Sequence, residues 1–80
     1  VTKLHRAVAL RGVAGPRAAL AAVEDLAEPL SGYHLWHATR AELLRELGRA
    51  DAARAADARA LALTANPAEQ SLLRQRISWA

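Results

Sequence analysis

The chain has no cysteine, no methionine and no phenylalanine, and only two tryptophans and one tyrosine among its 80 residues. Without cysteine there can be no disulfide staple, thiol catalysis or cysteine metal site, and a cytoplasmic setting fits. With so few aromatics, a core must be built from small groups. Much of the apolar content is alanine, which favours helix and buries little area. No apolar run approaches the roughly 20 residues that span a bilayer, and no signal-peptide pattern opens the chain. Acidic residues are missing from the beginning: Lys3, Arg6, Arg11 and Arg17 all precede the first acid, Glu24. The net charge of +3 is therefore mild overall and local in origin. This length supports one small domain, 1–80. Such a domain is marginal alone and must draw its stability from many helix–helix contacts. Opening on Val1 rather than Met reads as a piece cut from a longer protein.

What is present is helical periodicity. The stretch from Tyr33 to Pro67 holds two apolar-periodic runs around Gly48, and the second stops at Asn66-Pro67. This predicts two helices folded back on each other through a short turn. Ala41 on the first helix, and Ala53, Ala56 and Ala60 on the second, fall where two helices would touch. Alanine there lets the backbones approach closely.

Five segments follow in order. The first, 1–13, places Val1, Leu4, Val8 and Arg11 at helical spacing. Gly15-Pro16 breaks it, and Pro16 suits the first turn of the second, 16–27. Pro29 ends that segment, and Leu30-Ser31-Gly32 connects to the third, 33–47, with Ser31 as its N-cap. Gly48 then takes the C-terminal left-handed position. The fourth runs over 50–64, with Asp51 in its first turn, where the helix dipole favours negative charge. Asn66, Pro67 and Glu69 mark the start of the fifth as cap, first helical residue and capping-box acid. The fifth reaches Trp79, with Leu72, Leu73, Arg76 and Ile77 on one side.

Gly15 and Gly48 each close the first helix of a pair and lie 33 residues apart. A period of about 34 residues belongs to tetratricopeptide (TPR) helix pairs. Ala41, Leu44, Gly48, Ala53 and Ala60 match that motif, whereas His37 and Arg40 stand where it prefers Trp and Leu, and Pro67 comes late. The expected fold is all-α: a TPR-like, right-handed stack of antiparallel hairpins, about five helices, closed by a C-terminal capping helix.

Candidate chemistry is sparse. His34 and His37 lie one helical turn apart, but no metal-ligand spacing such as H-E-x-x-H is present, and no metal or cofactor is expected. No Ser-His-Asp set, phosphate loop or catalytic carboxylate pair is identifiable, so nothing argues for an enzyme. Arg40 shares a face with Trp36 and Leu44 and must snorkel out or meet helix-end carbonyls or a carboxylate such as Asp57 or Glu24, the rival reading being an anion or partner-peptide contact. From Arg40 to Arg59 the charge signs alternate, the usual pattern of a solvated helix face. Tyr33, Trp36, His37 and Arg40 project large polar-tipped groups from one region and are candidate protein contacts. Trp79 is a further candidate anchor. Lys3, Arg6, Arg11 and Arg17 form a candidate basic surface, without the interleaved aromatics of a nucleic-acid reader.

The runs HRAVAL, Gly15-Pro16, GYHLWHATRAELLRELGR and ALALTANPAEQSLLRQRI together resemble the C-terminal extension of a group of bacterial extracytoplasmic-function (ECF) sigma factors. The resemblance covers nearly the whole chain. His5 stands where the group usually has Asn, and Ala55-Ala56-Asp57 where it often has an aromatic. It implies a non-enzymatic, TPR-like domain at the end of a protein of roughly four hundred residues. DNA- and polymerase-binding sigma regions would lie upstream. The implied function is control of transcription initiation through contact with protein. The partner would be the sigma factor's own domains, core RNA polymerase or a regulator such as a DGPF/YCII-type protein, with no membrane involved. Rival readings are an auxiliary nucleic-acid contact through the basic first helix, or a structural or dimerisation spacer.

Overall fold

Two glycines with positive φ sit at the turns of the two hairpins: Gly15 at φ +93° and Gly48 at φ +77°. The computed structural model describes residues 2–79, without the side chains of Thr2, Pro29 and Trp79. Within it run α1 (Thr2–Ala14), α2 (Pro16–Glu24), α3 (Ala27–Leu30), α4 (His34–Glu46), α5 (Ala50–Leu63) and α6 (Pro67–Trp79). The protein is an all-α stack of helix hairpins in which five full helices pack in chain order, α1 on α2, α2 on α4, α4 on α5 and α5 on α6. The places expected for Val1 on the first apolar stripe and for the Trp79 side chain lie outside the described residues.

The turn at Gly48 is built as expected. Gly48 N–H bonds Arg45 O at 3.1 Å and Arg49 N–H bonds Leu44 O at 2.9 Å. This is the Schellman arrangement, which satisfies the last carbonyls of α4 and requires a left-handed residue. Ala41, Ala53 and Ala60 have no exposed surface and Ala56 almost none. α4 and α5 thus meet along the predicted stripe of small residues. Leu43 and Leu44 fill the space beside it.

The connection between hairpins differs from expectation. The second helix stops at Glu24 rather than Ala27, and Pro29 sits inside the one-turn helix α3 instead of ending a longer one. Proline is tolerated there because the first N–H groups of a helix have no intrahelical partner. The break has a physical accompaniment at Val23 O. It accepts Leu26 N–H at 3.0 Å and the Trp36 indole N–H at 2.7 Å. In a continued helix that carbonyl would bond the N–H of Ala27. The N-cap of α4 is Tyr33, in extended conformation, and not Ser31, which closes α3.

The stripes also shift. On α1 the buried residues are Leu4 and Ala7, with Val8 half-buried and Arg11 exposed. Among the described side chains of α6, Leu73 alone is buried, and Leu72 is 49 % exposed. The cap of α6 holds: Asn66 Oδ1 accepts N–H bonds from Ala68 at 2.9 Å and Glu69 at 3.4 Å. Glu69 does not return the bond. Asn66 N–H goes to Thr64 Oγ1 at 3.2 Å, and the Thr64 hydroxyl donates to Glu69 Oε2 at 2.8 Å.

Candidate functional site: a charged groove across α1, α4 and α6

Asp57 of α5 is completely buried. Its Oδ2 accepts a hydrogen bond from Arg45 Nη2 of α4 at 2.9 Å, and Arg76 Nη2 of α6 stands 3.0 Å from Oδ1. The Arg76 Nη2 group also donates to Ala38 O at 3.2 Å, and Oδ1 receives no well-directed hydrogen bond. That side of the pair is therefore held by charge rather than by bond direction. A carboxylate without water contact is tolerable only when paired. Two arginines from the neighbouring helices meet that need. Asp57 lies inside the run whose alternating charges predicted a solvated face, and the structure corrects that reading.

The same arginines floor the outer face of the stack. Arg11, Glu42, Arg45, Glu46 and Arg76 line one open depression, so α1, α4 and α6 share this face. Arg11 pairs with Glu46 at 3.1 Å, and Arg76 approaches Glu42 at 3.6 Å. Beside it, α4 and α6 enclose a groove of about 290 Å³ with His34, Leu35, Ala38, Glu42, Glu69 and Leu72 among its lining. Leu35 and Leu72 are 37 % and 49 % exposed, apolar groups facing solvent within a frame of charges. At its end His34 Nε2 stands 2.7 Å from Glu69 Oε2, an ion pair when the ring is protonated.

The predicted contact residues lie elsewhere. Trp36 is 6 % exposed and is core, its indole N–H spent on Val23 O. Tyr33 packs half-buried against the same core. His37 Nε2 lies 2.6 Å from Ser31 O, and its ring meets Trp36 edge-on at 4.7 Å. Arg40 pairs with Glu24 at 3.6 Å, one of its two expected partners; Asp57 is taken by Arg45 and Arg76. Trp36 and Arg40 thus tie α4 to α2, and His37 ties it to the turn after α3. Lys3, Arg6 and Arg17 are exposed and unpaired among the described residues, whereas Arg11 is engaged by Glu46. The described residues contain no group of three potential ligands that could hold a metal ion, and none of their helices is long and apolar enough to cross a membrane.

Sequence reasoning missed the groove, although a signal existed. Leu35, Ala38, Glu42, Arg45 and Glu46 recur on one side of α4, flanking the small-residue stripe at Ala41. Leu35 and Leu72 were the apolar members that the buried stripe could not absorb.

No known family model matches the chain, and no solved structure matches it. The chain is 49 % identical over 77 residues to an uncharacterized protein of Rhizobium meliloti (strain 1021). That match takes in 96 % of this chain and 18 % of the relative. The chain therefore spans under a fifth of the length of this relative, which is about 430 residues long.

Proposed function

We propose that this chain is the C-terminal regulatory domain of an ECF-type sigma factor. It acts in the cytoplasm by contacting protein through the groove between α4 and α6. The observation that carries the contact is that Leu35 and Leu72, both exposed, line one groove whose charged frame includes the Arg76–Glu42 pair. Apolar groups ringed by ordered polar ones are the usual make-up of a recognition surface. The sequence runs that resemble the sigma-factor extension support the transcriptional role. So does the length of the Rhizobium relative, which is close to the length that resemblance implies. The partner in this reading is the sigma factor's own upstream regions, core RNA polymerase or a small regulator, with DNA held by those upstream regions.

The test uses the full-length protein. Leu72→Glu changes an exposed side chain and should leave the melting curve and the circular dichroism spectrum unchanged. Reconstituted transcription from the cognate promoter should change at least fivefold. Unchanged transcription with a folded variant would remove this groove as the contact.

A further inference from the structure

The buried carboxylate of Asp57 is outnumbered. Arg45 Nη2 bonds its Oδ2 at 2.9 Å and Arg76 Nη2 lies 3.0 Å from its Oδ1, so two guanidinium groups share one counter-ion. Both are withdrawn from water: the Arg76 side chain is 12 % exposed and that of Arg45 is half-buried. A desolvated charge needs an opposite charge beside it. One carboxylate between two such arginines leaves one positive charge over. The further acid that approaches them is Glu42. Its Oε1 lies 3.6 Å from Arg76 Nη1, beyond hydrogen-bond reach, and its side chain is 56 % exposed. Glu46, the other acid lining the depression, is engaged by Arg11 at 3.1 Å. The Nη1 and Nε groups of Arg45 donate no hydrogen bond among the described residues. The depression over these arginines is continuous with the α4–α6 groove, because Glu42 and Arg76 line both.

We propose that the depression at Arg45 and Arg76 binds a carboxylate of the partner protein, carried by an Asp or Glu beside an apolar side chain. This rests on the reading of the α4–α6 groove as a protein contact and names what that contact recognises. The apolar side chain lies against Leu35 and Leu72. The carboxylate displaces Glu42 and supplies the second acid for the two arginines. Glu42 is thus an internal stand-in for the partner's acid, held loosely enough to leave. A carboxylate suits the place because a guanidinium presents its donors as a planar fork that matches two carboxylate oxygens. A phosphate group is disfavoured, since its second negative charge would lie against Glu46 and Glu42.

The experiment titrates the chain with a short capped peptide of leucines and glutamates, and with the same peptide carrying glutamine for glutamate. Binding is followed by NMR at the arginine Nε–Hε resonances. The glutamate peptide should bind at least tenfold more tightly than the glutamine peptide and shift the resonances of Arg45 and Arg76. Glu42→Gln, an exposed change of equal size, removes the competing acid. It should tighten the glutamate peptide at least threefold and leave the glutamine peptide unchanged. Damage to the fold does not raise affinity, so this gain reports on the site itself. Equal binding of the two peptides, both weakened by Leu72→Glu, would overturn the carboxylate site while leaving the groove as a protein contact. Failure of both peptides to bind at millimolar concentration would also overturn it, and the transcription assay of Leu72→Glu then decides the groove reading separately. Weaker binding of the glutamate peptide to Glu42→Gln, or tighter binding of inorganic phosphate at the same two resonances, would overturn it as well.

Discussion

Asp57 on α5 and Arg76 on α6 stand 3.0 Å apart, with the carboxylate fully out of water and the guanidinium nearly so. Arg45 of α4 holds the other oxygen at 2.9 Å. One carboxylate thus ties three helices together, at a place where alanine contacts alone give little area. Asp57→Ala removes the charge that both arginines were desolvated to meet, and should destabilise the chain by about 3–5 kcal/mol. Urea melts read this directly. The double change Asp57→Leu/Arg76→Met, which replaces the pair by apolar groups, should recover most of the loss.

Trp36 contributes through volume and one hydrogen bond. Trp36→Ala should cost about 3–5 kcal/mol as a core truncation. Trp36→Phe retains much of the packing but leaves Val23 O without the indole N–H, and should cost about 1–3 kcal/mol. Thermal melts of the two variants separate these effects. A Trp36→Ala defect in any functional assay is therefore expected to follow the loss of fold.

The α4–α5 interface predicts a size effect in the opposite direction. Ala41 has no exposed surface and faces the alanines of α5. Ala41→Leu adds atoms where the backbones are closest, and should destabilise by about 1–3 kcal/mol. A neutral melt would show that the helices can slide apart at no cost.

Two glycines should respond with opposite signs. Gly48 sits at φ +77° with open space around its Cβ position, so Gly48→Ala is opposed only by backbone strain, about 1–2 kcal/mol. Gly12 lies inside α1 with equally open space and no positive φ. Gly12→Ala should therefore stabilise by about 1 kcal/mol through helix propensity. Differential scanning calorimetry of both variants checks the sign of each.

Local chemistry made much of the fold legible. Gly15, Gly48 and the Asn66 cap act within a few residues of themselves, and the stripe Ala41, Ala53, Ala56, Ala60 follows from helical period alone. The misread features depend on contacts between distant residues. The stop at Glu24 coincides with the Trp36 indole reaching Val23 O, 13 residues away. Asp57 looked like one charge in an alternating solvated run because its arginines come from 12 residues before it and 19 after it. The structure spends the polar ends of Trp36, His37 and Arg40 on Val23 O, Ser31 O and Glu24, partners 6 to 16 residues away in sequence. The plainer Leu35 and Leu72, like Val13 at the end of α1, are left facing water.

The order of packing has a kinetic consequence. Each full helix rests mainly on the full helix before and after it in sequence, so few contacts require closing a long loop. Chains with such local contacts fold within microseconds to milliseconds, and stacked units of this kind gain and lose structure by nearest-neighbour steps. The α4–α5 hairpin, with neighbours on both sides, should show the slowest amide hydrogen exchange. α6, which leans chiefly on α5, should open first. That opening would break the Arg76 contact with Asp57 while α4 and α5 stay paired through Arg45, so the groove would come apart before the rest of the domain unfolds.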